Sequence, residues 1–533
     1  MSPDPSGATP QPVPAAIEAE ASSCGRWLAA IIAFGFGLRL LLVLLAENRL
    51  DCDESTVALM SLDILERGER PMFFYGGAYN GGGAVEAYLG ALAAALGGGP
   101  PLGLKWVVAL LWLGAAGFFA NLCQRSLPRP QALVAVLFLA VGTPFFLEWS
   151  IKARGGFSET LLLSVILLWL AHPPPGLARR PILQSTLFGL TSGLALWASE
   201  MILPMLPCAA LWLLSRIAPE RRLRSATLLL ISAIIGVLPL LIYNLGHDWE
   251  HLRQSAMAAV LVADSKPPLE LSAMALSFRF VLGSAAWLLV ACSLIGAVRI
   301  LRRRNHLELG HVLLAHAVLY LGAYWVSGQR FLEIAPSRVL YPLQLDLAVL
   351  LACAIDWRPG IPRRLSAAAL VSWLLLALVS TSTWIASRVP RDHGSWRASW
   401  CGVDGNALRM TLLDEGIDAA YLSYWTATPV VLANRMALRG DPSARKVLVS
   451  THMDGDWGTP RKVAFVLNEG SPVLGEVETA LQQASTEHER SRFGGLVILS
   501  GIDARSLESV EGLPESLSDR SWPPRRDPLD GFN

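Results

Sequence analysis

Long apolar runs recur along the first three quarters of the chain, and they constrain its fold more than any other feature. A helix that crosses a bilayer needs roughly 20 consecutive apolar residues. Hydrophobic residues make up 53% of the 533 residues and charged residues only 16%. We therefore predict a polytopic α-helical membrane protein with about 11 spans. Their predicted bounds are 27–46, 103–123, 131–149, 157–171, 182–199, 201–215, 226–245, 280–298, 310–327, 339–355 and 366–386.

The short loops between these spans alternate in charge, and this alternation predicts the orientation. An excess of arginine and lysine marks cytoplasmic loops. The arginine-rich loops are QRSLPRP, HPPPGLARRP, RIAPERRLR, RILRRRNH and DWRPGIPRR. The pattern predicts a multi-pass protein of the inner (plasma) membrane, with a cytoplasmic N-terminus and an extracytoplasmic C-terminal segment.

Composition divides the chain into four predicted regions. The Pro/Ala-rich start has no basic segment typical of a signal peptide, and after residue 386 short apolar runs such as KVAFVL alternate with helix-like stretches. Such alternation favours a soluble α/β domain. The predicted regions are a disordered cytoplasmic tail at 1–26, a transmembrane region at 27–386 with a large outer loop at 47–102, an extracytoplasmic α/β domain at 387–515, and a disordered tail at 516–533.

Net charge and cysteine spacing exclude some classes of function. A formal net charge of +1 argues against a nucleic-acid partner, which would require a concentrated basic face. The seven cysteines show no metal-type spacing, so a divalent metal is not indicated. Cys52 and Cys401 are both predicted to face the outer compartment. Whether they form a disulfide depends on a geometry that sequence does not provide.

Three acids lie directly after the first predicted span, in the stretch ENRLDCDEST. Asp51, Asp53 and Glu54 occupy four positions, and their mutual repulsion should raise at least one pKa. A carboxylate within hydrogen-bond reach of a substrate hydroxyl can act as a general base. Alternatively, the acids solvate the loop or cap the following helix, which is predicted to end at Gly68. Capping needs only one of the three.

Cationic side chains follow in two other outer loops. Lys152 and Arg154 occur in IKARGGFSE, and Arg338 occurs in APSRVLYPLQ. The arginine fork matches phosphate oxygens, so these residues are candidates for binding a lipid phosphate. The alternative is that each side chain simply extends to the lipid headgroups.

The glycine-rich outer stretch YGGAYNGGGAVEAYLG permits close backbone approach and leads into a helix predicted to lie along the membrane. Candidate substrate-binding residues here are Tyr79, Asn80 and Glu86, together with Tyr341 from the later APSRVLYPLQ loop. The alternative is an interfacial helix with a flexible lead-in.

The order of these motifs resembles the GT-C superfamily of membrane glycosyltransferases. The resemblance is to the dolichyl-phosphate-mannose protein mannosyltransferase-like enzymes of glycosyltransferase family 39 and to the bacterial aminoarabinose transferases. It extends over most of the chain, from DCDESTVALMSLDILERGERPMFFYGGAYNGGGAVEAYLGA to LLDEGIDAAYLSYWTATPVVLAN. It depends on an Asp-Glu pair in the first outer loop.

The resemblance implies an inverting transfer of a sugar from a polyprenyl-phosphate donor to an extracytoplasmic acceptor. The acceptor would be a glycolipid, a polysaccharide or a protein, and membrane lipids would surround the enzyme. It implies Asp53 as general base, and no metal cofactor is required for a donor with a single phosphate. The protein mannosyltransferases carry a histidine shortly after the Asp-Glu pair, whereas DESTVA has none. That difference puts a Ser/Thr protein acceptor in doubt.

Two other classes of function compete with a transferase. A secondary transporter would show inverted repeats and charged or broken helices at the middle of the membrane. A non-catalytic scaffold would use the outer domain as a binding module. The placement of acids and arginines on one side favours the transferase, with Asp51 as the alternative base.

Overall fold

The structure is a computed structural model, and it describes most of the chain. The described residues are 15–45, 50–75, 81–99, 102–253, 281–302, 308–326, 336–355, 360–388, 404–422, 424–441, 443–450, 462–468, 471–493, 496–507 and 510–513.

The first three quarters of the described chain are helical. The helices are α1 (Ala15–Leu45), α2 (Cys52–Arg67), α3 (Gly81–Ala95), α4 (Leu102–Ser126), α5 (Arg129–Val141), α6 (Pro144–Trp149), α7 (Ser158–Ala171), α8 (Pro175–Ala178), α9 (Pro181–Ala198), α10 (Met205–Arg216), α11 (Pro219–Gly246), α12 (Ala286–Arg302), α13 (Leu309–Val326), α14 (Gln344–Ala354) and α15 (Ile361–Arg388). Short 3₁₀ helices occupy Glu200–Ile202, Gly283–Ala285 and Pro336–Leu343.

Within the described residues, five helices are long and apolar enough to cross a membrane. They are Ser23–Leu45, Leu102–Ser126, Pro219–Gly246, Gly283–Arg302 and Pro362–Thr383. The other predicted spans also coincide with helices, but these are shorter, or in one case divided: the segment 131–149 breaks between α5 and α6. The chain is thus a polytopic helical membrane protein, and the count of eleven spans stays a prediction.

The first helix begins earlier than the sequence suggested. α1 starts at Ala15, inside the tail predicted to be disordered, because the stretch AAIEAEA consists mainly of strong helix formers. Of the two tails predicted to be disordered, residues 1–14 and 516–533 lie outside the described residues.

Arg39 is a buried charge in the first span. Its Nη1 donates to the carbonyl oxygens of Gly35 at 2.9 Å and Ala140 at 2.8 Å, and its guanidinium lies 3.5 Å from the centre of the Trp112 ring. Ala140 lies at the C-terminal end of α5, where carbonyl groups lack helical partners. Arg39 therefore joins α1 to the end of α5.

The last described part contains a small sheet with helices on it. Its strands are β1 (Ala419–Leu422), β2 (Leu448–Ser450), β3 (Lys462–Asn468), β4 (Glu489–Phe493) and β5 (Leu496–Asp503), in the order β2-β1-β3-β5-β4. β1 pairs in parallel with β2 and β3, whereas β5 is antiparallel to β3 and β4. The helices are α16 (Gly405–Asp414), α17 (Tyr424–Gly440), α18 (Pro472–Gln483) and α19 (Ala504–Leu507).

Alternate strand residues enter two different cores, as the period of a strand requires. Phe465 and Leu499 pack with α18 residues such as Val477. The neighbouring residues Val466 and Ile498 belong to a second core that also includes residues of α2 and α3. The sheet domain and the helix that follows the acidic loop therefore share one hydrophobic core.

Candidate active site

The acidic stretch begins helix α2, and two of its three acids cap that helix. Asp51 is the N-cap residue, and its Oδ1 accepts a hydrogen bond from the backbone N–H of Glu54 at 3.0 Å. In return, the Oε2 of Glu54 accepts from the N–H of Asp51 at 3.2 Å. This reciprocal capping box satisfies two N–H groups that would otherwise lack partners. The helix ends at Gly68, in the left-handed conformation (φ 70°), as the sequence predicts.

Arg154 joins the other oxygen of Asp51 to Asp53. Its Nε and Nη2 lie 2.7 and 2.6 Å from Asp51 Oδ2, and its Nη1 lies 3.3 Å from Asp53 Oδ2. Lys152 Nζ also contacts Asp51 Oδ2, at 3.2 Å. The Asp53 side chain is 18% exposed and that of Asp51 only 3%. Asp53 is therefore the more accessible of the two aspartates.

Glu54 has a cationic partner of its own. Lys105, near the start of α4, contacts Glu54 Oε1 at 2.7 Å, and both side chains are buried. The same oxygen accepts from the backbone N–H of Ala153 at 3.3 Å. Lys105 was not predicted as a site residue, although a lysine inside an otherwise apolar run is itself a signal of a polar partner.

The loop that carries Lys152 and Arg154 depends on glycine. Gly155 and Gly156 have φ of 67° and 78°, which side-chain-bearing residues rarely adopt. Gly82 of α3 packs directly against the Gly156 backbone, where a Cβ atom would collide. The glycines therefore set a close contact between this loop and the N-terminal turn of α3.

The cations reverse the pKa change expected from the acids alone. Burial would raise the pKa of Asp51, but Arg154 and Lys152 outweigh burial and hold it below its usual range. Burial would lower the pKa of Lys152 and of Arg154, but the neighbouring carboxylates raise both. The pKa of Asp51 is thus lowered and not raised, because three acids face three cations. Asp51 is an ionised anchor and a weak proton acceptor.

Of the other predicted site residues, two are buried, one lies on a 3₁₀ helix, and two lie outside the described residues. Glu86 is fully buried, and its Oε2 accepts a hydrogen bond from the N–H of Gly155 at 2.7 Å. Tyr341 is fully buried against Phe157, with ring centres 6.4 Å apart. Arg338 lies on the 3₁₀ helix Pro336–Leu343 that also carries Tyr341. Tyr79 and Asn80, like Cys401, lie outside the described residues. The substrate-binding roles stay predictions.

The acidic stretch fits a metal ion poorly. Ligand atoms of Asp51, Cys52 and Asp53 lie within 4.8 Å of one another. However, Arg154 already contacts both aspartates. Burial and the two neighbouring acids also raise the pKa of the Cys52 thiol, whereas a metal ion binds the deprotonated thiolate. In this part of the chain a cation would have to displace a guanidinium.

The described fold is shared by solved structures, in agreement with the fold that the sequence resemblance implies. Among solved structures, the chain is similar to ArnT from Cupriavidus metallidurans bound to undecaprenyl phosphate, with 14% identity, 90% of this chain and 98% of ArnT covered, and a TM-score of 0.54. The apo ArnT structure gives 13% identity, the same coverage and a TM-score of 0.55. No protein-family profile and no curated protein sequence matches the chain. At this identity the likeness establishes the fold.

Arg154→Lys should weaken the site although it keeps the charge. Lysine presents a single point charge, whereas the guanidinium contacts two aspartates at once. We expect the free energy of unfolding to fall by about 1.5–3 kcal/mol, the range for hydrogen bonds to charged groups. Arg67→Lys is a matched control, because Arg67 also contacts an aspartate of α2 but its side chain is 51% exposed. Equal stability losses in the two variants, measured by chemical denaturation, would contradict the prediction.

Proposed function

We propose that the chain is an inverting glycosyltransferase that moves a sugar from a polyprenyl-phosphate donor to an extracytoplasmic acceptor. The observation that carries this proposal is the Arg154 guanidinium, which contacts Asp51 at 2.6 Å and Asp53 at 3.3 Å. A candidate base and a candidate phosphate ligand thus share one cluster at the start of α2. The likeness in fold to ArnT, which was solved with undecaprenyl phosphate, supports the class of donor.

In the proposed reaction Asp53 is the general base. Its carboxylate accepts the proton of the acceptor hydroxyl as that oxygen bonds to the anomeric carbon of the sugar. The bond from this carbon to the phosphate oxygen breaks on the opposite face, and polyprenyl phosphate leaves as an anion. One displacement inverts the anomeric centre. The greater exposure of Asp53 than of Asp51 supports this assignment.

Arg154 and Lys152 would bind the donor phosphate. An incoming phosphate would compete with Asp53 for the Nη1 edge of Arg154, which leaves the Asp53 carboxylate to accept the proton. The bonds to Asp51 would meanwhile hold the guanidinium in place. Cations that interact more strongly with the departing phosphate than with the bound donor accelerate the reaction.

Arg338 is the third proposed phosphate ligand. Its 3₁₀ helix packs against the residues that follow Arg154, through the rings of Tyr341 and Phe157. Tyr79 and Asn80 remain the proposed substrate contacts, since they immediately precede α3. We also propose that the site faces the outer side of the inner (plasma) membrane, beneath the sheet domain, and that it requires no metal.

The proposal is tested by incubating the purified protein with polyprenyl-phosphate sugars and an acceptor fraction from the same membranes. We expect release of free polyprenyl phosphate together with a sugar-modified acceptor of inverted configuration, measured by mass spectrometry and NMR. Uptake of the intact donor or of free sugar into sealed vesicles, without cleavage, would instead identify a transporter. If the protein shows neither cleavage nor uptake of any membrane-derived donor, that result contradicts the proposal.

A further inference from the structure

Two buried carboxylates lie together behind the Arg154 loop. Glu86 on α3 is fully buried, and Glu159 in the first turn of α7 is 3% exposed. Their carboxyl groups are within hydrogen-bond range of each other. Neither group is needed for the proposed proton transfer to Asp53.

Charge and hydrogen bonding favour a proton shared by this pair. One oxygen of Glu86 and both oxygens of Glu159 have no hydrogen-bond donor of good geometry among the described residues. Two ionised carboxylates cannot bond to each other and would repel strongly in a buried position. A single proton supplies the missing donor and leaves the pair with one negative charge.

The pair also supports the backbone next to Arg154. Glu86 Oε2 accepts from the N–H of Gly155 at 2.7 Å, and the hydroxyl of Thr160, the residue after Glu159, donates to the carbonyl of Gly156. Both carboxylates are therefore joined, directly or through a neighbour, to the two glycines that follow Arg154. A change in their charge would be transmitted to the guanidinium.

We propose that Glu86 and Glu159 are positioning residues that share one proton and thereby hold the loop 152–156 in its phosphate-binding geometry. This inference deepens the proposed function and rests on it. When the shared proton leaves, the two carboxylates repel, the bond to Gly155 is disturbed, and the loop loses its arrangement.

The surroundings determine the sign of the pH dependence. Burial is the largest cause that raises the pKa of Glu86, and the negative charge of Glu159 adds to it. A raised pKa in the folded state means that stability is fully present below the unfolded value and is lost as pH rises through the folded value. Several other titratable or charged groups of the described residues face the pair or its loop. They are Glu54, Asp51 and Asp53 at the start of α2, Lys105 from α4, Glu148 from α6, Lys152 and Arg154 from the loop, and Tyr341 from the 3₁₀ helix.

The test compares the full-length wild-type protein with Glu86→Gln between pH 7 and pH 10. Glutamine keeps an acceptor for Gly155 and supplies a permanent donor to Glu159. We measure the affinity for undecaprenyl phosphate and, separately, the Tm without ligand. Wild-type affinity should fall by at least about tenfold across this range and that of Glu86→Gln by less than about threefold, because removing the titrating carboxyl removes its linkage to pH.

The Tm series should show the same difference, and it remains informative if undecaprenyl phosphate is not a ligand. Glu69→Gln, at an exposed glutamate after α2, should follow the wild-type profile. Glu159→Gln is the reciprocal variant and should also make the Tm less dependent on pH. It provides the test if Glu86→Gln does not fold. Superimposable wild-type and Glu86→Gln Tm profiles would overturn the inference. Failure of both glutamine variants to fold at every pH would also overturn it.

Discussion

Asp53→Asn is expected to reduce sugar transfer by about 10²- to 10⁴-fold, the usual contribution of a general base. The amide cannot accept the proton of the acceptor hydroxyl, yet it retains nearly the same shape. Because the Asp53 side chain is partly exposed, its replacement should change the free energy of unfolding by less than about 1 kcal/mol. Steady-state transfer assays and chemical denaturation measure the two quantities on the same preparation.

Asp51→Asn is the matched control for this variant. Asparagine is a good N-cap residue, so the start of α2 should persist, but Arg154 and Lys152 lose their buried anionic partner. Removing one member of a buried ion pair typically costs about 3–5 kcal/mol, so this variant should lose stability together with activity. If Asp53→Asn transfers sugar at the wild-type rate, Asp53 is not the general base. Loss of activity only through unfolding would assign Asp53 a structural role.

Several features of this site could be predicted from sequence because they depend on local rules. The spacing of Asp51 and Glu54 before an apolar helix is the pattern of a capping box, and Gly68 after the last turn is the pattern of a helix end. One acid was expected to suffice as a cap for the helix, whereas Asp51 and Glu54 both take part. That use of two acids leaves Asp53 as the acid with no part in the capping box.

Long-range pairing could not be predicted in the same way. Lys105 lies about 50 positions from Glu54 along the chain, and no periodicity links the two. The burial of Glu86 was not predicted, because helix α3 was interpreted as interfacial. In the structure the Glu86 carboxyl group faces Glu159 of α7 and the Arg154 loop. Single-sequence patterns specify elements, but partners across elements depend on packing.

The sheet domain shows the same division. The apolar strands β2, β3 and β5 were predicted, whereas β1 and β4 were missed. The sequence of β4, ERSRF, is polar and mostly exposed, so no apolar run marks it. α17 was also missed. It contains Pro429, which normally marks a break. Neither the shared core with α2 nor the ion pairs between α17 and α2 left a signal in the sequence.

Those ion pairs lead to the second large expected effect, that of Arg435→Glu. Arg435 of α17 contacts Asp63 at 2.6 Å and Glu66 at 2.9 Å, both on α2, and Asp63 is almost fully buried. Reversing the charge places three acids together at the end of the helix that begins with Asp51 and Asp53. Loss of one partner from such a contact costs about 2–5 kcal/mol.

α2 connects this contact to the site. Its residues Val57 and Leu62 share a core with Leu412 and Val431 of the sheet domain, so a displaced domain would shift the helix and the aspartates at its start. We therefore expect Arg435→Glu to lower transfer by at least about tenfold, a change that corresponds to about 1.4 kcal/mol in the barrier. Arg490→Glu is the control, since Arg490 pairs with Glu478 within the sheet domain at 3.2 Å and its side chain is 50% exposed. If both variants retain wild-type transfer rates and Tm, the sheet domain does not position the aspartates. If only Arg435→Glu is impaired, and Asp63→Arg in the same chain restores part of the rate, the domain is a structural part of the active site.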